Sequence, residues 1–234
     1  MKVFYKDKHL LVAKKPAGML SEDGDGENVL SVLKAENDLD YVGLVHRLDR
    51  ATEGLMVFSK KKELTGKLSA LMAEGGVTKE YLAVVHGKPQ ENCGTFRDLL
   101  FRDAGANKSY VTDRVRGGVR EAVLNYELLE SVDSEDGVLS LVRVRLGTGR
   151  THQIRVQFSH RGMPVFGDGK YGSHANRGLL ALASAHIRFV HPVTKKAIDV
   201  RELPELRYPW DLFGKTLSKT VFDSDIRTQM IDGE

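Results

Sequence analysis

Short runs rich in Val, Leu and Tyr recur along most of the chain: LLVAKK, GLMVFSK, KEYLAVVHG, EAVLNYELLE, VLSLVRVRL and LLALASAHIRFVH. Runs of this length, bounded by polar and glycine-containing segments, read as β-strands. Few helical stretches separate them, and no regular alternation of strand and helix builds up a parallel sheet. The pattern predicts an α+β fold with a mixed, largely antiparallel central sheet flanked by helices and loops.

Three stretches carry a helical period. In ELTGKLSALMAEG, Leu64, Leu68, Leu71 and Met72 fall on one face and Gly75 and Gly76 end the run. NVLSVLKAE is a shorter second helix. In THQIRVQFSH, Ile154 and Phe158 share one side while His152, Arg155 and Ser159 share another, so one face packs on a sheet and the other presents polar groups.

No repeat or low-complexity linker divides the 234 residues, which are enough for one large domain or two small ones. The segment from Lys215 to Glu234 lacks a periodic pattern, so residues 1–214 are expected to form the body and 215–234 a docking tail or frayed terminus. The 35 Lys and Arg against 32 Asp and Glu leave a charge of only +3, so affinity for a polyanion depends on where the bases lie. A single cysteine, Cys93, excludes an internal disulfide; with no histidine nearby it reads as an ordinary loop or partly buried thiol. Neither a signal peptide nor a long apolar run is present, and a soluble cytoplasmic protein is the expectation.

HRLDRATEGL, residues 46–55, sets Asp49 among Arg47 and Arg50. If YVGLV is a buried strand, the loop emerges at a sheet edge and the carboxylate faces a cleft. Neighbouring guanidinium groups favour an ionised carboxylate, suited to a nucleophile, a proton acceptor or an anchor. A salt bridge tying the loop explains the same residues. Glu53 adds a second carboxylate, as a glycosidase would need, but nothing places it in an apolar setting, and a solvated charge is the simpler expectation.

Arg143, Arg145, Arg150 and Arg155 lie close together in the sequence and suggest a phosphate-binding surface, with a solvated basic face as the competing account. GTGR lacks the remainder of a nucleotide fingerprint. The run Lys60, Lys61 and Lys62 reads as a strand end or helix start. His174, His186 and His191 match no familiar ligand spacing, and no metal is expected. Tyr81, taken alone, is a packed strand aromatic.

Together, HRLDRATEGL and GTGRTHQIRVQF resemble the HRLDxxTSGL and TGRxHQIRVH elements of the RluA-type pseudouridine synthases. KKPAGML, KEYLAVVHG, KSYVTDRVRGGVREAVLNYELLE, PVFGDGKYG and IRFVHP resemble further family motifs in the same order, across about residues 1 to 200. The resemblance implies isomerisation of uridine in structured RNA, rRNA or tRNA, by a monomer without a cofactor. A catalytically silent RNA-binding or RNA-remodelling module is the alternative.

By resemblance Asp49 is the catalytic carboxylate, Tyr81 stacks on the base and offers a route for the C5 proton, and Arg155 pairs with Asp49. His46, Arg47, Arg50, Arg150 and His152 are expected on the RNA side, where a target nucleotide is flipped out of its stack. Two departures stand out: Glu53 replaces the family's usual Ser, and Gln157 and Phe158 replace a His-Leu/Met pair. The chain begins directly at the catalytic motifs, so the S4 domain of some relatives is expected to be absent.

Overall fold

A computed structural model describes residues 1–220 except 23, 25, 26, 176 and 177. Its strands are β1 (Val3–Lys6), β2 (Leu10–Lys15), β3 (Gly43–Leu44), β4 (Glu53–Ser59), β5 (Val77–His86), β6 (Cys93–Asp103), β7 (Lys108–Val111), β8 (Val119–Ser134), β9 (Gly137–Leu146), β10 (Leu182–Val190) and β11 (Ala197–Arg201). The helices are α1 (Val29–Asn37), α2 (Lys62–Ala73), α3 (Gln153–His160) and α4 (Gly214–Lys219). One sheet runs in the order β1-β2-β4-β10-β5-β9-β8-β6-β7, with β3 beside β4 and β11 beside β10. Among the described strands only β4 and β10 pair in parallel, so the sheet is mixed and largely antiparallel, as the strand pattern predicts.

Period-two alternation divides the apolar residues between the two faces. One face gathers Leu11, Ala13, Met56, Phe58, Tyr81, Ala83, Val142 and Val144 under α1 and α3. The opposite face is covered by α2 at one end, through Leu64 and Leu68, and by the C-terminal segment at the other, through Trp210, Phe213 and Leu217. Burial of this extent is the main term favouring the fold, at roughly 25 cal/mol per Å2 of apolar surface.

Local chemistry sets the helix ends. The Asn28 side chain accepts a hydrogen bond from the Ser31 amide at 3.0 Å and starts α1. Asp38, in the left-handed conformation, ends that helix. At the parallel crossing Gly54 has φ +119°, and a Cβ there would lie 2.3 Å from the Ser184 carbonyl oxygen. Glycine is therefore the residue that lets β4 approach β10 this closely.

Several expectations need adjusting. Helix α3 is more enclosed than a two-faced helix: it is buried on every side from Gln153 to Phe158, and its polar side chains are bonded within the protein. Gln157, for example, donates to Asp98 Oδ2 at 2.6 Å. The segment expected to be a tail from Lys215 begins inside α4, which buries Leu217 at 1% exposure; residues 221–234 lie outside the described residues. Cys93 opens β6 and is exposed. No helix among the described residues is long and apolar enough to cross a membrane.

Candidate active site

The site lies on the α1/α3 face of the sheet, where the loop between β3 and β4 meets the start of α3. That loop is clamped by KKPAGML. The Lys15 ammonium, fully buried, donates to the carbonyl oxygens of Pro16, Met19 and Arg50 at 2.9, 2.9 and 3.1 Å. Burial lowers its pKa to about 8, against the charges of Asp49 and Glu53, which favour the ammonium. Ser21 Oγ also donates to the Leu48 carbonyl at 2.7 Å. The Asp49 backbone is thus fixed from both sides.

Asp49 is partly exposed, and its Oδ2 accepts a 3.2 Å hydrogen bond from Arg155 Nη1. Sequence neighbours do not hold it. Arg47 pairs with Glu22 at 2.9 Å, and Arg50 donates to the Gly18 carbonyl at 2.8 Å. The remaining edge of the Arg155 guanidinium is taken by Asp168, a buried carboxylate of PVFGDGKYG, through bonds of 2.6 and 2.8 Å. Burial acts to lower the Arg155 pKa, but Asp168 and then Asp49 outweigh it and raise it. This arginine is a permanent cation shared unequally by two carboxylates.

His152 precedes α3 in the left-handed conformation, φ +55°, a strained choice for a non-glycine residue. The turn brings its Nε2 to 3.8 Å from Asp49 Oδ2 and its Nδ1 to 3.0 Å from the Tyr171 hydroxyl. That hydroxyl also accepts from the Ser109 amide at 2.8 Å. Burial, opposed by Asp49, lowers the His152 pKa and favours the neutral ring. The Tyr171 face meets the Arg155 guanidinium, 5.1 Å from the ring centroid, so one aromatic residue supports both pocket side chains.

Tyr81 lies on β5, facing the same side, and is buried. Burial and then the charge of Asp49 push its phenol well above the usual value, so a phenolate is disfavoured at neutral pH. A stacking platform suits this ring better than a free base that collects the C5 proton. His46 is neutral as well: burial, with Lys79 adding, lowers it to about 3, and its Nε2 accepts the Val57 amide hydrogen at 3.0 Å. Its Nδ1 therefore carries the ring proton.

These groups line a pocket of about 290 Å3 that includes His46, Arg47, Asp49, Tyr81, Arg150, His152 and Arg155, together with Lys79. The size suits one nucleoside-sized occupant. Arg50 stands outside the lining. The four arginines grouped in the sequence separate as well: Arg143 and Arg145 alternate with Val142 and Val144 and therefore face the opposite side of the sheet from the pocket. Arg143 pairs there with Glu127.

Glu53 is not a solvated charge. Its side chain is 5% exposed and pairs with Arg207 at 3.2 Å and Lys14 at 3.8 Å, away from the pocket. Two carboxylates flanking one sugar, the glycosidase arrangement, are not formed by Asp49 and Glu53. Asp168, Tyr171, Lys15 and Lys79 are the site residues that sequence reasoning left unassigned. Each sits inside a recognised motif, but only the fold brings Asp168 and Tyr171 to Arg155, Lys15 under the Asp49 loop and Lys79 into the pocket lining.

Elsewhere Asp7, His9 and His191 bring potential ligand atoms within 4.8 Å of one another. His191 Nδ1 accepts the amide hydrogens of Val193 and Thr194, both at 3.0 Å, so its Nε2 carries the proton and faces Asp7 Oδ2 at 3.1 Å. A protonated nitrogen is no metal ligand. The donor set fits a cluster that ties the β1–β2 turn to the turn after β10.

Residues 9–160 match the family model for RNA pseudouridylate synthase. Ribosomal large subunit pseudouridine synthase D of Zymomonas mobilis is 31% identical over 227 residues, covering 88% of this chain and 70% of that protein. Ribosomal large subunit pseudouridine synthase C of Buchnera aphidicola is 31% identical, covering 94% of this chain and 70% of that protein. The fold is similar to that of human RNA pseudouridylate synthase domain containing 1, with a TM-score of 0.76 and 22% identity over 93% of this chain and 94% of that one. The chain belongs to the RNA pseudouridylate synthase family.

Proposed function

We propose that this RNA pseudouridine synthase acts on a uridine of ribosomal RNA, as a monomer in the cytoplasm, with Asp49 as the catalytic carboxylate. The carrying observation is the Asp49–Arg155 contact of 3.2 Å beside the Tyr81 ring in a nucleoside-sized pocket. Two of its relatives are named for the ribosomal large subunit, which supports the choice of RNA.

A uridine in a helix shields C1′ and its base edges, so the nucleotide enters the pocket flipped out. Its base lies on Tyr81, which remains a neutral phenol. The ribose faces Asp49, whose carboxylate acts either on the sugar carbon or on a sugar proton. The N1–C1′ bond breaks, the base turns, C5 joins C1′, and the proton that C5 loses is matched by one that N1 takes up. Arg155 aims the carboxylate, and Asp168 fixes Arg155. Arg47 and Arg150 border the opening and meet phosphates; His46, neutral with a proton on Nδ1, acts as a hydrogen-bond donor toward the RNA. Arg50, outside the lining, contributes from the surface.

The test is incubation with bulk rRNA and tRNA from a strain lacking the protein, followed by site-resolved pseudouridine mapping. A site gained with the wild type and not with Asp49→Asn supports the reading. RNA binding that weakens with salt, with no modification of any cellular RNA, would favour a silent RNA-binding module instead.

A further inference from the structure

Lys79 is a cation that the mechanism above leaves unused. It sits two residues before Tyr81 on β5 and therefore on the same face, about 7 Å along the strand. It lines the pocket. Of the other pocket cations, Arg155 is held by Asp168 and Asp49, Arg47 by Glu22, and Arg150 Nε by the Glu121 carbonyl. Among the described residues Lys79 meets no carboxylate, and burial alone lowers its pKa, with no opposing charge offsetting it. Its charge reaches neutral His46, which it helps to keep unprotonated.

A partly buried ammonium without an acceptor is unfavourable unless an anion arrives during function. Resting on the proposed activity, we infer that Lys79 is a catalytic residue whose ammonium meets the edge of the uracil ring lying on Tyr81 and neutralises the charge that develops there. When the N1–C1′ bond breaks, its electron pair stays with the base, and the charge spreads onto the carbonyl oxygens. A fixed cation beside that edge is worth more for the departing anion than for neutral uridine, which is the condition for accelerating the step. Lys79 keeps its proton throughout and forms no bond to the substrate. Its charge also balances the pocket: Arg155 is already shared by two carboxylates and Arg150 is exposed, so Lys79 is the half-buried cation of the lining that no described carboxylate shares.

The experiment uses the full chain in excess over ribosomal RNA from a strain lacking it, with single-turnover rate, RNA affinity and salt dependence measured for wild type, Lys79→Met and Lys79→Arg. Lys79→Met is expected to slow the single turnover by about 100-fold. Its affinity for RNA should stay within about twofold and its salt slope unchanged. Lys79→Arg should restore part of the rate, and should move the alkaline fall in rate upward, because a guanidinium stays charged where a buried ammonium does not. An unchanged rate in Lys79→Met overturns the inference. So does a loss carried by affinity, with the salt slope reduced by about one, which identifies a phosphate contact instead. If Lys79→Met fails to fold, Lys79→Gln is read by the same criteria. Absence of pseudouridine with the wild type defeats the underlying activity and this role with it, whereas activity that is lost in Asp49→Asn and kept in Lys79→Met defeats only the role of Lys79.

Discussion

Asp168 grips Arg155 through two hydrogen bonds of 2.6 and 2.8 Å, while Asp49 receives a single bond of 3.2 Å from the same guanidinium. The buried carboxylate aims the arginine; the partly exposed one is left with lone pairs free for substrate. Asp168→Asn should lower the single-turnover rate by about tenfold to 100-fold, which corresponds to roughly 1.4 to 2.7 kcal/mol of misdirected electrostatic support. RNA affinity should be unaffected. Arg155→Ala, which strands Asp168 in the interior, should also cost about 3 kcal/mol of stability in urea unfolding.

His46 gives the fold a defined acid sensitivity. Its folded pKa of about 3 lies below that of an unfolded histidine, so the unfolded chain binds a proton that the folded one refuses. Its contribution is constant above about pH 6.5 and is lost as pH falls from there toward 3, at up to about 1.4 kcal/mol per pH unit. Urea unfolding of wild type and His46→Gln across that range isolates the term, since the glutamine carbonyl can still accept the Val57 amide. The difference in stability between the two proteins should shrink or reverse toward pH 4 and level off above pH 7.

Gly54→Ala should be among the most damaging single substitutions. The added methyl would sit 2.3 Å from the Ser184 carbonyl oxygen and 2.5 Å from its amide nitrogen, at a φ of +119° that L-residues rarely adopt. A loss of about 3 kcal/mol is expected, read as a lowered melting temperature. Activity should fall with it, because β4 carries the chain out of the Asp49 loop.

Glu53→Gln separates two chemistries. As a buried partner of Arg207 and Lys14 it should lower stability by about 2 kcal/mol while changing pseudouridine formation less than about threefold. A loss comparable to that of Asp49→Asn would make Glu53 a reacting group.

Strand content and sheet class were legible in the sequence because alternating Val, Leu and Tyr survive the fold unchanged: KEYLAVVHG is β5 and VLSLVRVRL is β9. Asp49, Tyr81 and Arg155 meet in one pocket, as the ordered motifs imply. What failed was inference from proximity along the chain. Arg47 and Arg50 sit beside Asp49 in sequence yet bond elsewhere, because loop geometry turns side chains two residues apart in different directions. Glu53 looked solvated because its partner Arg207 lies 154 positions away. Asp168 was invisible for a similar reason: a buried arginine requires a carboxylate, but no periodicity says which loop delivers it.

The parallel contact of β4 with β10 bears on the life of the nascent chain. Asp49 and β4 leave the ribosome early, yet the strand that seats beside β4 at the middle of the sheet ends at Val190. Until then β4 has an open flank, and the Asp168 that aims Arg155 is still to be made or only just translated. A partly synthesised chain therefore holds Asp49 without its pocket, and the site is assembled only when nearly the whole sheet has closed.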